Sequence, residues 1–103
     1  PAKTMEPAQD LSRAARPASL NWDCSFPPEA DAAQIDFMRV MVIVTVSAQG
    51  TATKVQVLND PGYGFGRMAQ QCALKNRYQV GLDRSGNAVS STTPPFAVKF
   101  QRL

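Results

Sequence analysis

The run from Phe37 to Ser47 constrains the fold more than any other part of the chain. It is dense in β-branched residues, which favour an extended, pleated backbone over a helix. Every second residue from Met38 to Val46 is apolar, whereas the intervening positions start with Arg39 and are apolar only in the middle. This alternation predicts a long strand with one buried face.

A second strand follows this run after a tight turn. Ala48-Gln49-Gly50 is turn sequence, in which Gly50 can adopt the positive φ that other residues avoid. Thr51 to Leu58 then alternates between apolar and polar side chains. The two segments together predict an antiparallel β-hairpin.

Two helices and a closing strand complete the predicted elements. Pro27 to Ala33 begins with prolines and carries acids near its start, which predicts a helix of two or three turns. Phe65 to Asn76 places its apolar side chains on one stripe, as an amphipathic helix does. Phe96 to Leu103 alternates as a strand, and Tyr78 to Ser91 predicts a loose hairpin or an extended loop.

The order helix, strand, strand, helix, strand predicts an α+β domain over residues 24–103, with a small antiparallel sheet of about three strands and two helices packed on one face. Residues 1–23 are rich in proline and alanine, and we interpret them as a linker with a helical turn from Asp10 to Arg16. The folded part is expected to begin near Leu20. Because the chain opens at Pro1 rather than methionine, we expect a targeting segment upstream.

Composition excludes several kinds of chemistry. The chain has no histidine, which excludes Ser-His-Asp triads, Cys-His nucleophiles and most zinc sites. Its two cysteines form no CxxC motif, and the glycine-rich segment from Gly62 to Gly66 lacks the lysine of a phosphate-binding loop. We interpret that segment as a turn into the second helix. We therefore expect no enzyme, no metal and no cofactor.

Nucleic acid and membrane roles have little support in the sequence. The net charge of +3 is small, and few aromatic residues stand beside the basic ones, so no nucleic-acid partner is expected. The longest apolar run, Val40 to Val46, is far shorter than the ~20 residues needed to span a bilayer.

Residues 24–103 resemble the C-terminal domain of TonB-type energy transducers, with the TolA domain as a more distant relative. Six segments carry the resemblance in the right order, although Phe26 replaces the family's tyrosine and Gln49-Gly50 replaces its Asp-Gly turn. Phe26–Ala30 is similar to the family's Tyr-Pro-x-x-Ala opening, and Val42–Gly50 and Val55–Leu58 are similar to its hairpin. Phe65–Tyr78 is similar to its long helix with a basic-aromatic pair. Asp83–Val89 is similar to its Arg-Asp-Gly loop, and Pro95–Phe100 to its closing Pro-x-x-Phe strand.

The resemblance implies a non-catalytic, periplasmic protein-binding module of a Gram-negative bacterium. Such a protein is anchored in the inner membrane by an upstream helix and couples a proton-driven motor to an outer-membrane partner. The expected partner is an outer-membrane β-barrel protein or a periplasmic peptide segment, as in TonB-dependent transport. The alternative is a structural coupler in an envelope-spanning machine for motility or adhesion, of the gliding type.

In the family, a peptide from the partner adds as a strand beside the last strand of the domain. The corresponding partner-binding edge strand consists here of Phe96, Ala97, Val98, Lys99, Phe100, Gln101 and Arg102. Phe96, Val98 and Phe100 are expected to face the core, and Lys99 and Gln101 to face solvent. The alternative is an ordinary strand whose edge is covered by residues 78–91 or by a second copy of the chain, as in a homodimer.

Cys24 and Cys72 allow two interpretations. They are two unrelated buried thiols, which are common in cores, or they form a disulfide in the oxidising periplasm that the resemblance implies. No motif that lowers a thiol pKa surrounds either residue, so a disulfide would be structural rather than redox-active.

The basic residues are unevenly distributed along the chain. Residues 65–103 hold six bases and one acid, whereas residues 24–64 hold two bases and four acids. We interpret this as solvated surface. The alternative is that Arg67, Arg84, Lys99 and Arg102 steer an acidic periplasmic segment towards the domain.

Overall fold

A ten-residue strand, Phe37–Val46, lies at the centre of the structure, a computed structural model that describes residues 10–19, 22 and 24–102. The predicted α+β class is confirmed, since the described residues form two helices and several antiparallel sheets. In chain order the elements are β1 (Arg16–Pro17), α1 (Pro28–Ala32), β2 (Phe37–Val46), β3 (Ala52–Val57), α2 (Phe65–Lys75), β4 (Tyr78–Gln79), β5 (Gly81–Leu82), β6 (Ala88–Val89), β7 (Ser91–Thr92) and β8 (Phe96–Gln101).

The main sheet is built around β2. β3 pairs with one side of β2, and β7 and β8 pair with the other side, all of them antiparallel. Pro94 and Pro95 separate β7 from β8, because proline has no N–H to donate to the ladder. Thr93 continues the pairing across this gap, since its N–H donates to the Val44 carbonyl (2.8 Å) and its hydroxyl accepts from the Val44 N–H (3.1 Å).

The core lies between one face of this sheet and the helices. Val40, Val42, Val44 and Val46 are fully buried, as the alternation predicts for one face of a strand. Phe65 of α2 lies among them, with its ring 5.5 Å from that of Phe26 and 5.3 Å from that of Phe100. Burying a side chain of this size contributes roughly 2–3 kcal/mol, so these aromatic contacts fix α2 on the sheet.

The two helices differ in how far they match the prediction. α2 matches it closely, and Asp60 caps its start by accepting from the N–H groups of Gly62 (2.9 Å) and Gly66 (3.2 Å). α1 is only five residues long, so the prediction of two or three turns is wrong. The helix ends because Gln34 adopts a left-handed φ of 60°, which turns the chain towards β2.

Residues 10–19 lie in the stretch interpreted as linker, and they pack on the domain. The predicted helical turn from Asp10 to Arg16 is wrong, because this segment is extended and pairs with residues 77–84. The N–H groups of Leu11, Arg13 and Ala18 each donate to a carbonyl of that segment at 3.1 Å. Ala15 of this segment is fully buried in the core cluster. Residues 1–9 and Leu20 lie outside the described residues.

The expected hairpin between the second helix and the last strand is present in a short form. β5 pairs with β6, and the Asp83 carboxylate closes their turn by accepting from the N–H groups of Ser85 and Asn87, both at 2.9 Å. The hydrogen bonds that Asp83 accepts, above all from the backbone of Asn87, lower the pKa of its carboxyl. The turn therefore stabilises the ionised form of Asp83.

Cys24 and Cys72 form a disulfide, which confirms the second interpretation of these residues. The bond joins the segment before α1 to α2. On the same segment, Trp22 contacts the ring of Phe96 edge-on at 5.5 Å and the ring of Tyr78 at 6.2 Å. The segment is thus held both covalently and by aromatic packing.

We expect the double substitution Cys24→Ser and Cys72→Ser to lower the free energy of unfolding by about 4 kcal/mol. On the chain-entropy relation, this is the effect of opening a loop whose ends are 48 residues apart. Urea unfolding of the oxidised protein, the reduced protein and the double variant measures it. Equal midpoints for the three samples would contradict the prediction.

Tyr78 gives the fold a dependence on alkaline pH. Its hydroxyl is buried and donates to the Ala73 carbonyl (2.7 Å), and this burial raises the pKa of Tyr78. The unfolded chain releases this proton from about pH 10 upwards while the folded chain keeps it, so stability is retained below that pH and falls above it. Tyr78→Phe is expected to remove the contribution of Tyr78 to this loss of stability at alkaline pH.

Thermal unfolding between pH 7 and 11 checks this expectation. At neutral pH, Tyr78→Phe should also lower stability by about 1 kcal/mol, because the Ala73 carbonyl loses its donor. Tyr63→Phe is the matched control, since the Tyr63 side chain is exposed. Parallel alkaline curves for Tyr78→Phe and the wild type would refute the role of Tyr78.

Candidate functional site

β8 is a regular strand at the border of the main sheet. Its residues pair with β2 without a register shift, from Phe96 opposite Val42 to Gln101 opposite Phe37. Within the described residues, β2 is its one strand partner. The other side of β8 is therefore an edge of the sheet.

The direction of the backbone groups along β8 follows from the ladder. Arg102 N–H donates to the Asp36 carbonyl at 2.8 Å, and in an antiparallel pair such bonded positions recur at every second residue. Phe96, Val98 and Phe100 thus direct their N–H and C=O groups towards β2. Those of Ala97, Lys99 and Gln101 point away from the sheet, and none has a hydrogen-bond partner in the part of the chain that the structure describes.

The side chains of β8 alternate as predicted from the sequence. Val98 and Phe100 are buried in the core and Phe96 is partly buried, whereas Lys99 and Gln101 are exposed. Apolar contacts therefore attach the strand to the domain while its outer backbone groups stay accessible.

Both ends of β8 are held in place. At its start, Phe96 packs against Trp22. At its end, the Arg102 guanidinium donates to the carboxylates of Asp31 (2.5 Å) and Asp36 (2.6 Å), and these hydrogen bonds raise the pKa of Arg102. An edge that is ordered before a partner arrives loses less entropy on binding, so this arrangement suits a docking strand.

The alternative in which residues 78–91 cover the edge is not found among the described residues. That segment pairs instead with residues 11–18 and within itself, and Ser91 pairs with β2. Among the described residues, the outer edge of β3 also lacks a strand partner. The pairing of β3 with β2, however, is interrupted by a bulge beside Thr45 and Val46. Bulges protect an edge from pairing, so β8 is the better edge for a partner strand.

The four basic residues proposed to steer a partner are in different situations. Arg67 pairs with Glu29 at 3.2 Å, Arg84 with Asp10 at 3.9 Å, and Arg102 with the two aspartates near α1. The pairs of Arg67 and Arg84 are exposed and contribute little stability, but all of these pairs partly neutralise the three charges. Of the four, only Lys99 forms no ion pair with the described residues.

Sequence reasoning missed a second basic residue beside Lys99. Arg39 of β2 lies directly opposite Lys99 of β8, at a position without ladder hydrogen bonds, where the Cα atoms of an antiparallel pair are only about 4.5 Å apart. Both side chains lie on the sheet face away from α2. The alternation of β2 already placed Arg39 on that face, but only the register shows that Lys99 is its neighbour.

The face of the sheet opposite the helices carries further apolar residues. We call it the open face and define it by six side chains, which alternation directs away from the core: Phe37, Arg39, Met41, Ile43, Leu58 and Lys99. The Arg39 guanidinium lies 5.8 Å from the centre of the Phe37 ring, which confirms that these two share the face.

Other features of catalytic or membrane proteins are not found in the described residues. They contain no group of three or more cysteine, aspartate or glutamate side chains placed to hold a metal ion. A small cavity beside the disulfide is lined by Met68, Gln71 and Lys75. Neither helix within the described part has the length and apolar character needed to cross a membrane.

An α+β domain whose ordered edge strand leaves outward backbone groups accessible has a surface suited to protein–protein interaction. The family described as Gram-negative bacterial TonB protein C-terminal matches residues 23–101, and the chain belongs to this family. The resemblance seen in the sequence is thereby confirmed. Comparison with the curated proteins finds no match.

Membership of this family indicates a periplasmic location and a role in energy transduction or protein binding. The domain family is a non-enzymatic one. A protein-binding role agrees with the site described above, which offers backbone hydrogen bonds and a mixed basic and apolar surface.

We expect Lys99→Glu to raise the free energy of unfolding by about 0.2–1 kcal/mol, because it replaces a like-charged cross-strand pair with an oppositely charged one. The matched control is Lys54→Glu, since Lys54 lies opposite the uncharged Thr45 on the same sheet. Urea unfolding at low salt compares the two variants. An equal or smaller gain for Lys99→Glu would show that Arg39 and Lys99 do not repel each other.

Proposed function

We propose that this domain couples an inner-membrane, proton-driven motor to an outer-membrane partner by accepting a strand of that partner along β8. The observation that carries the proposal is the row of outward N–H and C=O groups on Ala97, Lys99 and Gln101, which lack partners within the described residues. Membership of the TonB C-terminal family supports it, because strand addition at the last strand is the binding mode that the resemblance implies.

The number of backbone groups limits the strength of such a contact. Three residues, each with an outward N–H and C=O, offer six hydrogen bonds, and at about 1 kcal/mol net for each bond they would contribute on the order of 6 kcal/mol. Association itself costs about 4–15 kcal/mol in lost freedom of motion. Backbone pairing alone therefore gives weak, reversible binding, and side chains of the partner must supply the rest.

The connection of β8 to the rest of the domain suits the transmission of a pulling force. A pulling force on a strand added to β8 would be carried by the six cross-strand positions that join β8 to β2. β2 is paired on its other side with β3 and is buried on one face by α2. The load would thus reach the most strongly packed element of the domain.

In the full-length protein, we propose an inner-membrane anchor upstream of residue 1 and a partner that is an outer-membrane β-barrel protein or its periplasmic segment. Residues 1–9 would then belong to the linker that crosses the periplasm. A β-barrel receptor that imports a nutrient would assign the domain to TonB-dependent transport. A motility or adhesion subunit as the partner would assign it to an envelope machine instead.

Ala97→Pro tests the proposal, because it removes an outward N–H and leaves the donors that bind β2 in place. The matched control is Ala97→Ser, which changes the side chain and keeps the N–H. We expect the wild type and Ala97→Ser to retain a β-barrel protein from outer-membrane extract. Ala97→Pro is expected to retain at least about ten-fold less of that protein, because the outward hydrogen bonds form together as one ladder.

Circular dichroism establishes whether the variants are folded. If Ala97→Pro does not fold, Gln101→Pro replaces it, because Gln101 is the last residue of β8 and also directs its N–H outwards. Equal retention of the partner by a folded proline variant and its control would rule out strand addition at β8.

A further inference from the structure

The open face defined above combines basic side chains with large apolar ones that stay accessible among the described residues. Phe37 is 47% exposed and Leu58 is 43% exposed. Met41 lies opposite Leu58, and Ile43 is two residues further along β2. Both are partly exposed, and neither belongs to the cluster that packs against the core. Large apolar side chains gathered on one uncovered side of a domain are typical of a surface that contacts another molecule.

The charges on this face have one sign. Arg39 and Lys99 lie directly opposite each other, and neither pairs with a carboxylate of the described residues. Lys54 adds a third positive charge on the same side of β3, opposite Thr45. Every other side chain that alternation directs to this face of β2, β3 and β8 is neutral.

The pair of Arg39 and Lys99 is a second and independent sign of a ligand. Like charges at directly opposed positions destabilise a sheet, so the free domain is less stable with this pair than without it. An anionic group placed between the two side chains would remove the repulsion and form an ion pair with each of them. The arrangement therefore favours the bound state over the free state.

We propose that the open face binds an acidic amphipathic helix of a partner protein. Neighbouring strands are about 4.8 Å apart, so the three strands β3, β2 and β8 present a strip about 10 Å wide, which matches the diameter of one helix. Leucine-like side chains of the helix contact Phe37, Met41 and Ile43, and its carboxylates contact Arg39 and Lys99.

A protein helix fits this face better than nucleic acid or a lipid surface does. Three cations are too few for the phosphate contacts that dominate nucleic-acid binding. A lipid headgroup surface would leave the centre of the strip, Met41 and Ile43, against polar groups, whereas a helix with one apolar face covers it.

The face and the β8 edge are separate contacts. Side chains of the open face stand perpendicular to the sheet, whereas a strand added to β8 lies in the plane of the sheet. Both contacts can therefore be occupied together, and the binding of a helix does not depend on strand addition at β8.

The test uses the full 103-residue chain and two synthetic helical peptides. One peptide has glutamate on its polar face and leucine on its apolar face, and the other has lysine in place of every glutamate. Titrations followed by the methyl signals of Met41 and Ile43 measure binding. We expect the glutamate peptide to shift these signals and to bind at least about ten-fold more tightly than the lysine peptide, with a loss of affinity on adding salt.

Charge-reversal variants locate the contact. Arg39→Glu combined with Lys99→Glu is expected to weaken binding of the glutamate peptide by at least about ten-fold, because two attractive pairs become repulsive. The matched control is Lys75→Glu combined with Arg77→Glu, which changes the net charge equally at exposed positions around the end of α2 and should leave affinity unchanged. If the double variant fails to fold, the single reversals replace it, since each of them creates an opposite-charge pair.

Three results would overturn the proposal. One is equal affinity for the glutamate and lysine peptides, and another is equal weakening by the control variant. The third is binding of the wild type to phosphatidylglycerol vesicles, without binding of the glutamate peptide, which would assign the face to a membrane surface. Retention of the outer-membrane partner, compared between Ala97→Pro and Ala97→Ser, tests the β8 edge, whereas peptide binding by the charge-reversal variants tests the open face, so the two proposals can fail separately.

Discussion

The structure depends on the burial of one face of β2. Val40, Val42, Val44 and Val46 are removed from water together, and each fully buried valine contributes roughly 1.5–2 kcal/mol. Because these residues alternate, a slip of one position in the pairing would expose all of them at once. Their burial therefore fixes the register of β3 and β8 against β2, and with it the outward direction of the backbone groups of Ala97, Lys99 and Gln101.

The same alternation that builds the core also creates the two surfaces considered for binding. Even-numbered residues of β2 and β8 hold the strands to α2, so the odd-numbered ones are left to face outwards on the other side of the sheet. A small α+β domain with helices on one face leaves the opposite face and at least one border uncovered. In this chain, aromatic and ionic contacts at the two ends of β8 keep that border ordered.

Much of this architecture could be predicted from the sequence, because local patterns determine it. The β-branched run of β2, the turn at Gly50 and the apolar stripe of α2 each specify an element without reference to the rest of the chain. α1 was predicted too long, since the left-handed φ of Gln34 that ends it has no strong sequence signal. The strand-like pairing of residues 10–19 was missed because a short proline- and alanine-rich segment has no periodicity of its own.

The candidate site was predictable only in part. The last strand followed from its alternation and from the family resemblance, but the neighbourhood of Arg39 and Lys99 depends on a register between residues far apart in the sequence. The ion pairs of Arg67, Arg84 and Arg102 are long-range contacts of the same kind. Composition showed an excess of basic residues in residues 65–103, and only the fold shows which of them remain without a carboxylate.

The disulfide changes how the domain is connected to the chain that precedes it. At Cys24 the covalent path divides, with one branch running through α1 into β2 and the other crossing directly to α2 at Cys72. Tension that passes the contacts of residues 11–18 and Trp22 and reaches Cys24 would thus be shared between two entry points, one in the sheet and one on α2. Neither α1 nor the first residues of β2, which pair with the end of β8 at Gln101, would then carry the whole load.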